Sequence, residues 1–286
     1  MVKLGETNPY PDAYNPRLLE AIPRSLARSG LAIDKNDLPF KGYDLWTAYE
    51  ISWLKRNGLP VCYIAELYVP VDSFAICESK SLKYYLNSLN QHTFALPSDA
   101  VELIKNDLHH ITGAHVEVKL YEVDDYETRA ALDPQVYRLL ERQVDKDDTF
   151  EIAKDASLSE LAEALNLEPS SKGASYGKTE LYATHLLKTN CPLTGQPDWA
   201  TVIVGIKGRQ PSCASLLKYL VGFRPHQDYH EHCVERIFID LLRVLSPEEL
   251  YVNARYTRRG GIDINPLRHT PGWDSYLLSN HATYRQ

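Results

Sequence analysis

The sequence lacks the features that mark several large classes of protein. Its five cysteines are an odd number and form no CxxC pair, so a disulfide framework of the secreted kind is not expected. No apolar run approaches the roughly 18 residues that a membrane-spanning helix needs, and the first residues contain no apolar core of a signal peptide. We therefore expect a cytoplasmic protein with reduced thiols.

Positive charge is also scarce. The chain has 31 Lys and Arg against 38 Asp and Glu, a formal net charge of −7 at pH 7. Direct binding of nucleic acid normally requires a basic face, so this balance argues against it but leaves room for a local basic pocket. No GxGxxG motif follows a predicted strand, so a Rossmann site for a dinucleotide is not expected either.

What the sequence does contain is a weak internal repeat. Residues 81–86 (SLKYYL) resemble residues 215–220 (SLLKYL). Further on, residues 100–111 and 234–245 carry apolar side chains at i, i+3 and i+4 spacing, which predicts an amphipathic helix in each copy. Alternating apolar runs before and after these helices predict strands. Each half is therefore predicted to have the order β-β-α-α-β-β, which makes the chain an α+β protein with two similar modules.

The rest of the chain divides around this repeat. Residues 1–40 are rich in Pro, Tyr, Asn and charge, and we expect them to form an N-terminal arm. The two modules are assigned to residues 41–125 and 177–286, and the linker between them to residues 126–176. A short helix is predicted inside the linker, with its N-cap at Ser157.

The two halves differ where chemistry can be placed. Cys191 in the second half lies over Gly58 in the first, and a Pro- and Gly-bearing turn separates it from Asp198. A thiol and a carboxylate on one loop can act as a nucleophile and its acid–base partner. The alternative is a small buried cysteine and an aspartate that shapes the turn.

His230 and Glu231 stand at the start of a predicted helix. The Glu231 carboxylate could accept two parallel N–H bonds from a ligand, or it could cap its own helix in a capping box with Asp228. Residue types that bind zinc also gather in this half: Cys191, His226, His230, His232 and Cys233. Their spacing matches no standard zinc module, so no metal is expected.

Two basic clusters could hold an anionic cofactor. Lys80 and Lys83 follow Glu78 at the opening of a predicted helix, where positive side chains and free N–H groups could bind a phosphate. Arg258 and Arg259 precede a Gly-Gly pair at a predicted turn, and glycine lets a backbone approach a ligand closely. Solvated surface charge and a plain turn are the alternatives.

Four long motifs resemble the 7-cyano-7-deazaguanine reductases: residues 78–91 (ESKSLKYYLNSLNQ), 190–199 (NCPLTGQPDW), 223–236 and 256–266 (YTRRGGIDINP). The resemblance runs over nearly the whole chain, and the order of the motifs matches the longer, two-module form of the family. It implies two tandem tunnelling-fold modules, each a small antiparallel sheet backed by two helices. It also implies assembly, for which we expect a homodimer.

The resemblance further implies an activity. A member of this family reduces the nitrile of 7-cyano-7-deazaguanine to an amine with two NADPH, in the biosynthesis of the tRNA nucleoside queuosine, and acts on the free base rather than on tRNA. Cys191 would attack the nitrile carbon and form a covalent thioimide. Asp198 would protonate the nitrogen, and His230 would assist hydride transfer.

The binding residues follow from the same resemblance. The substrate would be held by Glu231 and His230, and by Glu78 and Ser79 of the first module. The residues expected to hold NADPH are Ser79, Lys80, Ser81, Lys83, Arg258, Arg259 and Gly260.

Two other classes of function compete with this interpretation. One is a zinc-dependent cyclohydrolase with the same tunnelling fold, for which bound stoichiometric zinc would be the sign. The other is a non-catalytic scaffold that binds a purine or pterin, for which Cys191→Ala would leave binding and biological activity intact. Fold alone cannot choose between the three.

Overall fold

The computed structural model describes residues 11–126, 133, 135–145, 150–152, 155–167, 179–273 and 280–286. Residues 1–10 of the predicted arm and residues 168–178, at the end of the predicted linker and the start of the second module, lie outside the described residues. The chain forms two compact units. The first contains the described residues of 1–24, 46–127 and 260–262, and the second those of 25–45, 128–259 and 263–286.

The chain combines helices with mostly antiparallel strands, as an α+β protein does. The strands are β1 (Ala21–Pro23), β2 (Lys41–Leu54), β3 (Pro60–Pro70), β4 (Ala75–Cys77), β5 (Glu117–Glu122), β6 (Arg138–Leu139), β7 (Thr179–Asn190), β8 (Pro197–Lys207), β9 (Glu249–Tyr256) and β10 (Ile262–His269). The helices are α1 (Ser25–Arg28), α2 (Ser79–Ser88), α3 (Pro97–Thr112), α4 (Leu140–Val144), α5 (Leu158–Leu167), α6 (Cys213–Val221) and α7 (His230–Leu245). None of the described helices is long and apolar enough to cross a membrane.

The first unit is built on strands β2, β3 and β5 with helices α2 and α3. β2 and β3 are neighbours, and β3 pairs with β5 in antiparallel fashion. Trp53 of β2 stacks on Tyr63 of β3, with ring centroids 4.6 Å apart. Helix α3 buries Ala100, Ile104 and Leu108 along one stripe, which confirms the amphipathic helix that the apolar spacing predicted.

The second unit contains a larger antiparallel sheet. Strands β10, β9, β8 and β7 follow one another in it, and the two-residue strand β6 adds to β7 in parallel. Nearly every residue of β8 between Ala200 and Ile206 is buried, because a central strand has neighbours on both edges and covered faces. Helix α7 packs on β9 through an apolar stripe that includes Val234, Ile237 and Phe238.

The predicted repeat is visible in the order of elements, with two differences. The second half has the predicted order ββααββ, as β7, β8, α6, α7, β9 and β10. In the first half only one strand, β5, follows the helices among the described residues of 113–126, and the short β4 precedes α2. The hairpin loops also differ in length, since residues 55–59 follow the end of β2 at Leu54, whereas residues 191–196 follow the end of β7 at Asn190. Counted from these strand ends, Cys191 therefore corresponds to Lys55 rather than to Gly58.

The stretch predicted as a linker contains helices of its own. Helix α5 begins directly after Ser157, whose hydroxyl accepts from the Glu160 N–H (3.2 Å) while the Glu160 carboxylate accepts from the Ser157 N–H (2.8 Å). This capping box confirms the predicted N-cap. Helix α5 packs on α6 and α7, with Leu161 against Gly222. The described residues of the stretch from 133 onward thus belong to the second unit, and the predicted domain bounds stay predictions.

A buried ion cluster joins separate parts of the second unit. Glu235 of α7 accepts hydrogen bonds from Arg28 of α1 at 2.7 and 2.9 Å and from Arg268 of β10 at 2.9 Å. Arg268 also lies 2.7 Å from Asp44 at the start of β2, and all four side chains are at most 6% exposed. The ring of Phe40 lies beside both guanidinium groups. Two positive and two negative charges therefore balance one another away from water.

We expect Glu235→Gln to lower the free energy of unfolding by about 3–5 kcal/mol, because it leaves buried guanidinium charge uncompensated. Urea unfolding followed by circular dichroism measures the change. The matched control is Glu163→Gln, which removes a pair with Arg243 whose two side chains are more than half exposed. That control should change the free energy by less than about 1 kcal/mol, and equal losses in the two variants would contradict the anchoring role of Glu235.

Candidate active site

Cys191 lies in the turn between β7 and β8. Its backbone N–H donates to the Gln196 carbonyl at 2.9 Å, and the Gly195 N–H donates to the Cys191 carbonyl at 2.9 Å. Gly195 has a φ of +67°, a region that glycine enters without strain. The segment forms the tight turn that its prolines and glycine predicted, and the Cys191 side chain is partly exposed.

The register of this hairpin relates Cys191 to Asp198. Thr189 lies opposite Asp198, and Asn190 lies opposite Pro197. Directly opposed residues of an antiparallel pair point to the same face, as do residues two apart on one strand. Thr189 and Asp198 therefore share one face of the hairpin, and Cys191 follows Thr189 by two positions at the start of the turn.

The loop that precedes α7 is fastened to the end of β7. The Asn190 N–H donates to the His226 carbonyl at 2.9 Å, and the Asp228 N–H donates to the Asn190 carbonyl at 3.2 Å. The Asn190 side-chain amide also donates to the His226 carbonyl, at 3.2 Å. These bonds hold the first turn of α7 beside the strand end that leads into Cys191.

Asp198 is the electrostatic centre of this arrangement. Its side chain is 3% exposed; Oδ1 accepts from the Arg259 guanidinium, and Oδ2 lies 3.4 Å from Nε2 of His230. Burial acts to raise the pKa of Asp198, but the hydrogen bonds and charges of His230 and Arg259 outweigh it and hold the pKa below the usual range of an aspartate. At neutral pH Asp198 is therefore a carboxylate that can accept a proton.

Arg259 has partners that its sequence position did not reveal. Besides Asp198, its guanidinium contacts the side-chain oxygen of Gln196, so it joins the segment after β9 to the turn after Cys191. The neighbouring Arg258 donates its backbone N–H to the Arg285 carbonyl at 3.2 Å. The role of both arginines at the cofactor phosphates remains a prediction.

His230 is packed between Asp198 and an aromatic ring. Its imidazole lies face to face with Tyr256, with ring centroids 3.7 Å apart and planes 5° from parallel. Tyr256 is fully buried at the end of β9. Sequence reasoning missed Tyr256, although its period-two spacing from Val252 and Ala254 places it on their face of the strand.

Glu231 does not form the capping box that its spacing from Asp228 allowed. Helix α7 begins at His230 after the N-cap Tyr229, whose side chain makes no capping hydrogen bond. The Asp228 carboxylate instead accepts from the Tyr229 N–H at 2.8 Å and lies 3.0 Å from Nδ1 of His232. Glu231 is 2% exposed on the first turn, where the helix dipole favours a carboxylate.

The residue types that bind zinc do not converge. In the part of the chain that the structure describes, no group of three or more His, Cys, Asp or Glu side chains is arranged to hold a metal ion. Cys233 is fully buried, and burial is the main cause that raises the pKa of its thiol well above the ordinary value, which makes it a poor ligand and nucleophile.

In the first unit, the signature residues form the capped start of α2. The Glu78 carboxylate accepts from the N–H groups of Lys80 (3.0 Å) and Ser81 (2.7 Å) and from the Ser79 hydroxyl (3.4 Å). The Ser81 hydroxyl donates to the Glu78 carbonyl at 2.7 Å. The prediction of free N–H groups at this helix start is therefore wrong for Lys80 and Ser81, because Glu78 occupies the position that an anion would take.

The Lys83 amine, also in the first unit, lies against the glycine turn. A Cβ at Gly260 would stand 2.8 Å from Lys83 Nζ, and Gly260 has a φ of +56°. A Cβ at Gly261, whose φ is +80°, would collide with the Glu50 carboxylate. The positive φ favours glycine at both positions, and the space that a side chain would fill is lined by the Lys83 ammonium group and the Glu50 carboxylate.

Two family models and one solved structure match parts of this chain. A model described as "Nitrile reductase, 7-cyano-7-deazaguanine-reductase N-term" matches residues 10–120, and one described as "QueF-like protein" matches residues 197–272. A crystal structure of the archaeosine synthase QueF-Like in the apo form is 14% identical, with a TM-score of 0.30, and covers 34% of this chain and 95% of that chain.

Relatives of known name align over nearly the full length. The NADPH-dependent 7-cyano-7-deazaguanine reductase of Teredinibacter turnerae is 45% identical over 282 residues, which cover 99% of this chain and 96% of the relative. The protein of the same name from Saccharophagus degradans is 42% identical over 95% of this chain and 97% of the relative. Similarity of this extent shows that the chain belongs to the family of NADPH-dependent 7-cyano-7-deazaguanine reductases.

Proposed function

We propose that this chain reduces the nitrile of 7-cyano-7-deazaguanine to the primary amine through a covalent thioimide on Cys191. The observation that carries the proposal is the arrangement around Asp198. Cys191 begins the turn that leads to Asp198, and His230 and Arg259 both contact the Asp198 carboxylate. The reaction balances when one nitrile takes up two hydrides from two NADPH and two protons.

In the first step Asp198 accepts the proton of the Cys191 thiol, and the thiolate adds to the nitrile carbon. A C–S bond forms, one π bond of the nitrile breaks, and the proton passes from Asp198 to the nitrogen. The low pKa of Asp198 suits this order of proton transfers. The group is a carboxylate when the thiol must lose a proton, and its acid form returns that proton readily.

Bound NADPH supplies the hydride for both reductions. After the first reduction the Cys191 sulfur leaves the carbon as a thiolate, and an imine remains in the site. His230, whose Nε2 faces Asp198 at 3.4 Å, relays a proton to the nitrogen during the second reduction. The covalent bond to Cys191 keeps the earlier intermediate from water.

Binding of the base is assigned to Glu231 and His230, with Glu78 and Ser79. The buried Glu231 carboxylate can accept two parallel N–H bonds from the guanine-like edge. Glu78 keeps lone pairs for a ligand after it has capped α2, since a carboxylate has about four acceptor sites. NADPH is assigned to Ser79, Lys80, Ser81, Lys83, Arg258, Arg259 and Gly260, and the close approach of Lys83 to Gly260 supports that pair best.

The wider setting is part of the same proposal. The substrate is the free base on the route to queuosine, and the net charge of −7 agrees with a protein that binds no nucleic acid directly. We infer that the enzyme is a cytoplasmic homodimer. No described feature favours the scaffold alternative, in which Cys191 would have no task.

The covalent step predicts an adduct. Wild-type protein mixed with 7-cyano-7-deazaguanine in the absence of NADPH should gain one substrate mass, and Cys191→Ala should gain none, because the thioimide needs this thiolate. Intact-protein mass spectrometry measures both. Cys213→Ala is the matched control, since Cys213 is also a partly exposed cysteine, and it should keep the adduct. No adduct on saturated wild type would overturn the thioimide and direct attention to bound zinc.

Arg259→Ala should raise the pKa of Asp198, because a stabilising positive charge is lost while the carboxylate stays buried. Asp198 would then pick up a proton at a higher pH than in wild type. An NMR titration of protein labelled with carbon-13 at the aspartate carboxyl groups measures the shift, with Asp198→Asn to assign the signal. Arg243→Ala, which removes a half-exposed charge that pairs with Glu163, should leave the Asp198 midpoint unchanged. The same midpoint in Arg259→Ala and wild type would refute the pairing.

Gly260→Ala should weaken NADPH binding by about tenfold, because a Cβ displaces the Lys83 amine and one charge-assisted hydrogen bond to phosphate is lost. Gly58→Ala is the matched control. Its φ of +80° imposes similar backbone strain, but a Cβ there meets nothing within 4 Å. Calorimetric titration with NADPH compares the two variants. Equal NADPH affinities in the two variants would show that the glycine turn is not part of the cofactor site.

A further inference from the structure

Tyr256 makes the closest ring contact in the site, yet none of the assigned roles uses it. Its ring covers the His230 imidazole at 3.7 Å between centroids and 5° between planes. An imidazole stacked so closely and in parallel has little room to tilt. In this stacked position Nε2 of His230 lies 3.4 Å from Oδ2 of Asp198.

The backbone of Tyr256 is held on both sides. Its N–H donates to Oδ1 of Asn265 at 3.1 Å, and its carbonyl accepts from Nε2 of Gln286 at 2.8 Å. Across the sheet it lies opposite Ala200 of β8. Because the side chain is also fully buried, the Tyr256 ring has little freedom to move away from His230.

The hydroxyl of Tyr256 contributes less than the ring. It lies in a buried polar cluster with Thr189 and Cys233. The hydrogen bond between the Tyr256 and Thr189 hydroxyls involves no atom of His230. A phenylalanine ring should therefore do the same work as the tyrosine.

We propose that Tyr256 is a positioning residue, whose ring holds His230 in the orientation that faces Asp198. The inference rests on the proposed function, because it gives His230 its part in proton transfer. Tyr256 acts only through His230, so loss of the ring should free the imidazole to turn away from the carboxylate.

The pH dependence of turnover should report this change. Burial raises the pKa of Asp198, and the hydrogen bond from His230 is the first influence that opposes it. Without that bond the carboxylate takes up a proton at a higher pH. The acidic limb of the pH profile of kcat should therefore move to higher pH, whereas a general loss of stability would leave the limb in place.

The test compares Tyr256→Leu and Tyr256→Phe with wild type in steady-state oxidation of NADPH. Tyr256→Leu should lower kcat by about 10- to 100-fold, as small misplacements of catalytic groups do, with KM for the nitrile within a few-fold and the acidic limb moved upward. Tyr256→Phe should keep the wild-type kcat and the wild-type position of the acidic limb. Tyr251→Leu is the matched control. It removes another buried tyrosine of β9, which packs against Trp273, and should lower thermal stability without moving the limb.

A double-variant cycle separates positioning from other effects. In a His230→Ala background, Tyr256→Leu should cause no further loss of kcat. Additive losses, or wild-type kcat and an unmoved limb in Tyr256→Leu, would overturn the positioning role. Tyr256→Met, which fills more of the ring's space, replaces the leucine variant if that one does not fold. A wild-type protein without adduct or turnover would overturn the proposed function instead, so the two failures are distinct.

Discussion

The buried cluster of Glu235, Arg28, Arg268 and Asp44 fixes helix α7 within the second unit. Glu235 lies roughly one and a half turns after His230, so the charges that hold Glu235 also set the height and rotation of the first turn. Transfer of such charges from water is costly, and an apolar set of similar volume is often as stable. We infer that the cluster is used here because its directional bonds admit one placement of α7.

The hairpin register is the second constraint on the site. Thr189 lies opposite Asp198, and a slip by one residue would send the Asp198 side chain to the other face of the hairpin. The bonds from Asn190 to the loop before α7 tie this register to the helix that Glu235 anchors. Residues far apart in the chain are thus placed by one strand pairing and one fixed helix.

Periodic signals carried most of the fold because they are local. The apolar stripe of α3, the ββααββ order of the second half and the Ser157 cap each depend on neighbours within a few residues, and all three were predicted. The hairpin that places Cys191 could be predicted as a turn, because proline and glycine restrict the backbone there. Its match to the first half was wrong because two loops of different length cannot be aligned without their strand ends.

Partners across the fold could not be predicted in the same way. The charge of Arg259 suggested a phosphate, but a sequence shows a charge without showing which opposite charge the fold brings near, and Asp198 is in contact with it. The spacing from Asp228 to Glu231 suits a capping box, yet the helix starts one residue too late for it. The stacking of Tyr256 on His230 joins a strand end to a helix start, so neither local period contains it.

The buried polar groups at the start of α7 differ from Glu235 in their hydrogen-bond partners. Buried polar atoms that lack a hydrogen-bond partner among the described residues include His226 Nε2, His230 Nδ1 and His232 Nε2. They come from the loop before α7 and from its first turn. Each such atom costs about 1–3 kcal/mol, and departures of this kind are expected where function overrides stability. An imidazole with one nitrogen unbound can still take or give a proton, whereas the charge of Glu235 is fully paired. Within α7, Glu235 is thus paired with two arginines, whereas Nδ1 of His230 has no hydrogen-bond partner among the described residues.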